Sequence, residues 1–291
     1  MRKLMITLFL IALIFPGCGI CETVAYESLP LEGAAPYAPV KEAYSEDNLS
    51  YDDGTLSIRI ETEEAFGVTI YYIYVQLTDP SQFRTALCSS KPYDQWTTVS
   101  MMAGRNNAVL AINGDFFSHH SEGYIVRGGK LLRDNPNYTR DLLIIDENAD
   151  FTLIPTPYRY KIEAFTGEIR EAFSFGPALI IDYEVLQFNY REKVSCGYNN
   201  KDQRNVICQL DTLSYLIVMT DGSDKEGTGL TGRELVELLV AKNVRCAYNL
   251  DGGNSCTLIM NGEKINAPYF SKERDVSDII YFATLIPDDA E

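Results

Sequence analysis

The chain has 291 residues with 41 acidic against 25 basic side chains, which gives a formal net charge of −16. A charge this negative argues against sequence-independent binding to nucleic acid and against binding to an anionic membrane surface, since both need a basic patch. The only histidines are His119 and His120. They are too few for a histidine-rich two-metal centre or for a zinc site with three imidazole ligands.

The first 25 residues have the pattern of an export leader. Met1-Arg2-Lys3 is basic, and Leu4 to Phe15 is an apolar run too short to span a bilayer. Two cleavage sites compete: one after Thr23-Val24-Ala25, and a lipoprotein-type site at Cys18, which would carry a lipid anchor. The sequence therefore predicts an extracellular or cell-envelope protein whose membrane contact is confined to the leader or the lipid.

Export changes how the cysteines are interpreted, because thiols pair in an oxidising compartment. Cys18 and Cys21 belong to the leader, which leaves five of the seven cysteines for the mature chain. Two pairs flank predicted strand-turn-strand connections and are candidate disulfides, with one cysteine left over: Cys196/Cys208, Cys246/Cys256, and Cys88. The alternative is that all five are buried free thiols.

The rest of the chain divides into three parts. Residues 26–54 are rich in Pro and Glu and predict a tether or surface-hugging arm, residues 55–286 predict one domain, and residues 287–291 form a tail. Alternating or β-branched apolar runs inside the domain predict strands near residues 56–60, 68–77, 108–112, 142–145, 151–154, 178–181, 206–210, 214–220, 246–250, 257–260 and 279–285.

Two helices are predicted. Thr231 and Glu234 have the spacing of a capping box, and the apolar face that follows indicates a helix over residues 231–243. A second helix is predicted from Tyr93 to Ala103. The fold class is therefore α/β of the α+β type, a single mixed, strand-rich domain with few helices.

Three loops follow buried strands and carry polar side chains, at positions where a rigid backbone can aim them at a ligand. They contain Asn113-Gly114-Asp115, then Asp221-Gly222, and then Asp251-Gly252-Gly253-Asn254-Ser255. The two glycines of the third loop would let backbone amides approach a ligand. Each pattern alone is also typical of an ordinary turn.

In chain order, these loops and several other blocks resemble the phosphodiester glycosidase family over roughly residues 55–286. The blocks are Asn113-Gly114-Asp115-Phe116-Phe117, Ser174-Phe175-Gly176-Pro177-Ala178-Leu179, Arg204-Asn205-Val206-Ile207-Cys208, Asp221-Gly222, Leu250-Asp251-Gly252-Gly253-Asn254-Ser255, Asn266 and Arg274-Asp275-Val276-Ser277. The resemblance implies cleavage of a sugar from a phosphodiester of the N-acetylglucosamine-1-phosphate type. No cofactor is implied, and the expected partner is a glycan or sugar phosphate.

That reaction needs a carboxylate at the anomeric carbon and a cation at the leaving phosphate. Asp251 is the first choice for nucleophile or base, with Asp115 and Asp221 as further candidates. Arg204 and Arg274 match motif arginines and are assigned to the phosphate, the alternative being structural arginines. The remaining predicted substrate-binding residues are Asn113, Gly252, Gly253, Ser255 and Asn266.

Other functions stay open at this point. Asp115, Asp221 and Asp251 could together hold a divalent cation, and the chain would then be a metal-dependent phosphodiesterase. The Pro-rich tether and three departures from the family motifs also allow a non-catalytic glycan-binding module of the same fold. The departures lie in Arg204-Asn205-Val206-Ile207-Cys208, in Asp221-Gly222-Ser223 and in Gly252-Gly253-Asn254-Ser255-Cys256. Adjacent histidines tend to point apart, so at most one of His119 and His120 is expected to line a pocket near Asp115.

Overall fold

The computed structural model describes residues 26–135, 140–156, 159–187, 197–221, 227–267 and 272–288. The predicted leader with Cys18 and Cys21, and also Cys196, lie outside these residues. An eight-stranded antiparallel sheet forms the largest layer. Its strands, in spatial order, are Ser50–Asp52 (β1), Leu56–Ala65 (β2), Val68–Leu77 (β3), Ser214–Thr220 (β15), Asn205–Asp211 (β14), Cys246–Asn249 (β16), Ala178–Ile181 (β12) and Glu184–Val185 (β13).

Three smaller antiparallel sheets complete the described β-structure. One contains Phe151–Ile154 (β10), Leu142–Asp146 (β9), Ile169–Phe173 (β11), Gly123–Arg127 (β7) and Lys130–Asn135 (β8). Another contains Glu263–Lys264 (β18), Leu258–Met260 (β17), Leu110–Asn113 (β6), Asp278–Phe282 (β20) and Phe83–Leu87 (β4). The last pairs Asp275–Val276 (β19) with Thr97–Thr98 (β5).

The large sheet is buried on both faces, which explains its long apolar runs. On β15, Ile217 faces a core shared with the two five-stranded sheets, where it joins Leu143 and Ile280. Its neighbour Val218 faces the other side and packs in a cluster with Leu235. Successive side chains of a strand point to opposite faces, so one strand serves two cores.

The α-helices of the described chain are Val99–Arg105 (α1), Arg159–Glu163 (α2) and Gly232–Ala241 (α3). The capping box predicted for α3 is confirmed: Glu234 N donates to Thr231 Oγ1 at 3.2 Å, and Thr231 N donates to Glu234 Oε2 at 2.8 Å. None of the described helices is long and apolar enough to cross a membrane. The predicted single, mixed, strand-rich α+β domain with few helices is confirmed.

The helix predicted from Tyr93 to Ala103 is wrong at its start. It begins at Val99, because the Thr98 side chain accepts a hydrogen bond from Met101 N at 3.2 Å and caps the helix. Thr97 and Thr98 themselves pair with β19. The aromatic side chain of Trp96 therefore lies outside the helix, where it is 43% exposed.

The predicted Cys246/Cys256 disulfide is also wrong. Both residues are buried free thiols, as are Cys88 and Cys208. Burial raises the pKa of the Cys256 thiol well above its ordinary value and raises that of Cys246. Protonated, buried thiols behave as small apolar side chains. The proposed partner of Cys208, Cys196, falls outside the described residues.

The segment before β2 packs closely on the rest of the chain. Leu29 and Ala35 are buried in a cluster with residues of α1, β6 and β20. Arg84 Nη2 donates to Gly33 O at 3.0 Å, and Asn107 Nδ2 donates to Ala35 O at 2.9 Å. β1 then adds an edge strand beside β2.

Candidate functional site

Asn113, the last residue of β6, forms hydrogen bonds with the loop between β16 and β17 and with the first residue of β14. Its Nδ2 donates to Asp251 O at 2.8 Å, while its Oδ1 accepts from Thr257 N at 3.2 Å and from Asn205 Nδ2 at 3.1 Å. The side chain is buried at 1% exposure. Asn113 was predicted to bind substrate, and the structure places its amide in contacts that hold the loop carrying Asp251 against β6 and β14.

The two glycines after Asp251 allow that loop to lie against the chain that leads into β14. Gly253 has a φ of +56° and its N donates to Gln203 O at 3.0 Å. A Cβ atom at Gly252 would overlap the Gln203 carbonyl. Asn266 fixes the far end of the loop, because its Nδ2 donates to Cys256 O at 3.1 Å. The predicted binding residues Gly252, Gly253 and Asn266 thus shape the loop.

Four of the predicted site residues line one narrow cleft: Asp115, Asp251, Ser255 and Arg274. Ser255 is buried at 1% exposure, and its Oγ accepts a hydrogen bond from Arg274 Nη1 at 3.2 Å. The Ser255 hydroxyl also lies close enough to the Asp251 carboxylate to lower its pKa. Carboxylate, hydroxyl and guanidinium are therefore linked in a row.

The pKa of Asp251 is raised to about 6. Burial is the largest cause, and the negative charges of Asp115 and Asp202 add to it, while Ser255 and Arg274 act in the opposite direction. A carboxylate with a pKa near 6 is more basic than an exposed aspartate and still ionised at neutral pH. That combination suits a base or a nucleophile.

Asp115, on the floor of the cleft, is held by a buried arginine. Arg127 Nη2 lies 3.1 Å from Asp115 Oδ1, and the amides of Phe117 and Ser174 each donate to the carboxylate at 3.1 Å. Arg127 also stacks on the Phe173 ring, with Cζ at 3.8 Å from the ring centroid. These contacts fix the position of the Asp115 carboxylate.

Two further buried carboxylates share Arg127, and none of these three residues was predicted from the sequence as a site residue. Arg127 Nε donates to Asp278 Oδ2 at 2.7 Å, and the Arg127 charge also acts on Glu171. Burial raises the pKa of Asp278 and of Glu171 to about 7 each, against the attraction of Arg127. A usable signal was present for Asp278, which directly precedes the apolar run Ile279 to Phe282.

The two predicted phosphate-binding arginines lie in different environments. Arg274 lines the cleft, and its Cζ lies 5.1 Å from the centroid of the Phe116 ring. Arg204 is 5% exposed and donates to the carbonyl oxygens of Leu230, Gly197 and Asn200 at 2.8, 3.0 and 2.6 Å. These contacts give Arg204 a structural role in holding the chain before β14.

Asp221 does not join the other two aspartates. Its Oδ2 accepts from the Tyr71 hydroxyl at 3.2 Å and its Oδ1 from Ala267 N at 2.6 Å, so it anchors the chain after β18. Burial raises its pKa. Within the described part of the chain, no three His, Cys, Asp or Glu side chains are grouped so as to hold a metal ion. Asp115, Asp221 and Asp251 thus do not assemble the cation site considered from sequence.

One histidine lines the cleft, in a column of stacked rings. His119 lies between Phe116 and Trp96, with centroid distances of 4.1 and 5.0 Å. Burial and the charge of Arg274 lower the pKa of His119, which favours its neutral imidazole. His120 points elsewhere, and its Nδ1 lies 2.8 Å from Glu122 O.

Sequence and structure comparisons relate the chain to known proteins. The sequence profile of a family described as phosphodiester glycosidase matches residues 106–283, a range that includes Asp115, Asp251 and Arg274. An uncharacterized SPbeta prophage-derived protein of Bacillus subtilis, YomE, is 25% identical over 223 residues. That match covers 74% of this chain and 34% of the relative, so the chain spans about a third of the relative's length.

Solved structures share the fold. The catalytic domain of zebrafish N-acetylglucosamine-1-phosphodiester alpha-N-acetylglucosaminidase, auto-inhibited by pro-peptide, superposes with a TM-score of 0.64 at 16% identity. The match covers 85% of this chain and 87% of that one. A hypothetical protein from Synechocystis has a TM-score of 0.51 at 13% identity, over 78% of this chain and 62% of the other. At sequence identities this low, the structural similarity shows a shared fold and nothing further.

Proposed function

The chain belongs to the phosphodiester glycosidase family, and on that premise we propose that it is an exported hydrolase of sugar phosphodiesters. It cleaves the bond between the anomeric carbon and the phosphate oxygen, on substrates of the N-acetylglucosamine-1-phosphodiester type in envelope or extracellular glycans. The row formed by Asp251, Ser255 and Arg274 in one cleft is the observation that carries this proposal.

In the proposed reaction the anomeric C–O bond breaks and the bonding electrons leave with the phosphate oxygen. Water supplies the new oxygen at the anomeric carbon, and the products are a reducing sugar and a phosphomonoester. Asp251 acts as the nucleophile or as the base that takes the water proton. The charge of Asp115, which Arg127 holds in place, stabilises the positive charge that develops on the sugar ring.

Arg274 neutralises the leaving phosphate. Its guanidinium has one nitrogen on Ser255 Oγ and lies in the cleft beside Asp251, and guanidinium groups bind phosphate through two parallel hydrogen bonds. A phosphate monoester is already a good leaving group, so charge neutralisation contributes more than protonation. A neutral His119 in the cleft wall is consistent with charge neutralisation contributing more than protonation.

The test uses the chain without its leader and N-acetylglucosamine-1-phospho-methylmannoside as substrate. We expect release of free N-acetylglucosamine and of mannoside phosphate, with and without EDTA, and no release by Asp251→Asn. Asp211→Asn is the matched control, because Asp211 is exposed at the β14–β15 turn.

Product identity separates the alternatives. Release of N-acetylglucosamine-1-phosphate, abolished by EDTA, would identify a metal-dependent phosphodiesterase and overturn the proposal. Saturable binding of the diester without any product, equal in wild type and Asp251→Asn, would indicate a glycan-binding module that keeps the fold.

A further inference from the structure

We propose that Glu273 is a positioning residue, which fixes the segment that carries Arg274 to the start of α1 and thereby directs the Arg274 guanidinium at the phosphate. The inference rests on the proposed function, in which Arg274 neutralises the leaving phosphate. Glu273 is not among the residues that line the cleft. It acts through its neighbour in the chain.

Both carboxylate oxygens of Glu273 accept hydrogen bonds from one residue of α1. Ser100 N donates to Oε1 at 2.8 Å, and Ser100 Oγ donates to Oε2 at 2.7 Å. Hydrogen bonds to an ionised carboxylate are roughly twice as strong as those between neutral groups. The two residues are 173 positions apart in the sequence, so this contact fixes the chain before β19 to a distant element.

The helix that receives Glu273 is itself firmly packed. Val99 and Met102 of α1 are 0% and 1% exposed and belong to a buried cluster with residues of β6 and β20. β6 leads directly to the loop that carries Asp115. Through α1, Glu273 therefore attaches Arg274 to the same packed unit that positions Asp115.

Arg274 lies between two attachments to one stretch of chain. Before it, Glu273 accepts the hydrogen bonds from Ser100, and directly after it β19 pairs with β5. Attachment on both sides leaves the backbone at Arg274 little freedom. Its side chain extends into the cleft, where Nη1 donates to Ser255 Oγ at 3.2 Å.

The position of this guanidinium matters for two reasons. Paired hydrogen bonds from a guanidinium to a phosphate have a narrow geometry, and a misplacement of about 1 Å at an active site can cost about 10²-fold in rate. Asp115 and Asp251 line the same cleft, and the charge of Arg274 acts on Asp251. A loosely held arginine would turn towards these carboxylates instead of towards the phosphate.

The first measurement needs no ligand and uses the leaderless protein. The Nε–Hε nuclear magnetic resonance signal of Arg274 is assigned by its loss in Arg274→Ala, and its heteronuclear NOE reports how rigid the side chain is. We expect a lower NOE in Glu273→Ala than in wild type. Glu273→Gln can still accept from Ser100 N and donate to Ser100 Oγ, so it should keep most of the rigidity. An unchanged NOE in Glu273→Ala would overturn the proposal.

Kinetics on N-acetylglucosamine-1-phospho-methylmannoside supply the second readout. Glu273→Ala should lower kcat/KM by about ten-fold, less than Arg274→Ala itself. In an Arg274→Ala background the same substitution should cost no more than about two-fold, because no guanidinium is left to position. A residue that only stabilises the fold would lower kcat/KM equally in both backgrounds, and that result would overturn the proposal.

Asp79→Ala is the matched control. Asp79 accepts hydrogen bonds from N and Oγ of Ser81, as Glu273 does from Ser100, but it caps the short 3₁₀-helix Pro80–Gln82 before β4. Its loss should lower stability and leave both readouts unchanged. Ser100→Ala removes one of the two hydrogen bonds to Glu273 and should show a smaller effect in the same direction, which keeps the test decisive if Glu273→Ala does not fold.

The two failures are distinguishable. If the diester is not cleaved but loss of Glu273 lowers the NOE of Arg274, the proposed activity fails and the positioning of Arg274 stands. If wild type and Glu273→Ala cleave the diester equally well, the activity stands and the role of Glu273 is overturned, whatever the NOE.

Discussion

Arg127 Nη2 lies 3.1 Å from Asp115 Oδ1, and both side chains are inaccessible to solvent, at 2% and 0% exposure. The same guanidinium hydrogen-bonds Asp278 through Nε and the Ala172 carbonyl through Nη1. The buried Arg127 therefore contacts two carboxylates, of which Asp115 lines the cleft and Asp278 does not.

Replacing Arg127 should be costly for folding. Arg127→Met leaves Asp115 and Asp278 buried without their cation, and we expect the free energy of unfolding to fall by about 3–5 kcal/mol in urea denaturation. Arg127→Lys keeps the charge, so its free energy of unfolding should fall by less. The loss should be larger at about pH 8 than at about pH 5.5, because Asp278 takes up a proton at the lower pH. A loss below about 1 kcal/mol would contradict this description of the cluster.

Stability should decrease as pH rises from about 4 to about 7. Glu171 and Asp278 have folded-state pKa values raised to about 7, against about 4 in the unfolded chain. Between these values the folded state binds more protons than the unfolded state, so the free energy of unfolding falls as pH rises. Urea denaturation across this range measures the slope. Glu171→Gln, which removes one titrating group, should make the slope shallower, and an unchanged slope would exclude Glu171 as its source.

Arg274 and Arg204 should respond differently to the same substitution. Arg274→Ala is expected to lower kcat/KM for the phosphodiester by about 10²–10³-fold with a small change in stability, since its charge lies in the cleft. Arg204→Ala removes donors to three carbonyl oxygens and should lower the free energy of unfolding by about 1–3 kcal/mol. Comparable loss of activity per folded molecule in both variants would assign Arg204 to the phosphate after all.

Activity should fall on the acid side of about pH 6. The pKa of Asp251 is raised to about 6, and the nucleophile or base must be ionised, so kcat/KM should drop below that pH rather than below pH 4. Asp251→Asn should be inactive. At about pH 8 its free energy of unfolding should exceed that of wild type by roughly 1–3 kcal/mol, because the substitution removes a desolvated charge. Asp221→Asn serves as the comparison and should keep both the activity and the acid limb.

The sequence predicted most strands because burial leaves a pattern in the chain. The run Tyr215 to Met219 is buried on both faces and is apolar throughout. The capping box at Thr231 and Glu234 is a local signal and was sufficient for α3. The start of α1 was missed because it depends on Thr97 and Thr98 pairing with β19, a contact between distant parts of the chain.

The site was predictable only in part, because it too depends on contacts between distant parts of the chain. Asp115, Asp251 and Arg274 emerge from motif blocks, and the fold brings them to one cleft. Arg127 precedes a Gly-Gly turn in the sequence and has the local pattern of a surface residue, although it is 4% exposed. Its role follows from the packing of β7 against β11 and β20, which no local pattern encodes.

The packed arm before β2 has a practical consequence. Deleting the residues up to Gly54 would remove Leu29 and Ala35 from a buried cluster and would remove β1, the strand that pairs with β2. A newly bared edge strand is a template on which other chains pair. Proteolytic removal of residues 26–52 would therefore promote aggregation of the remaining chain.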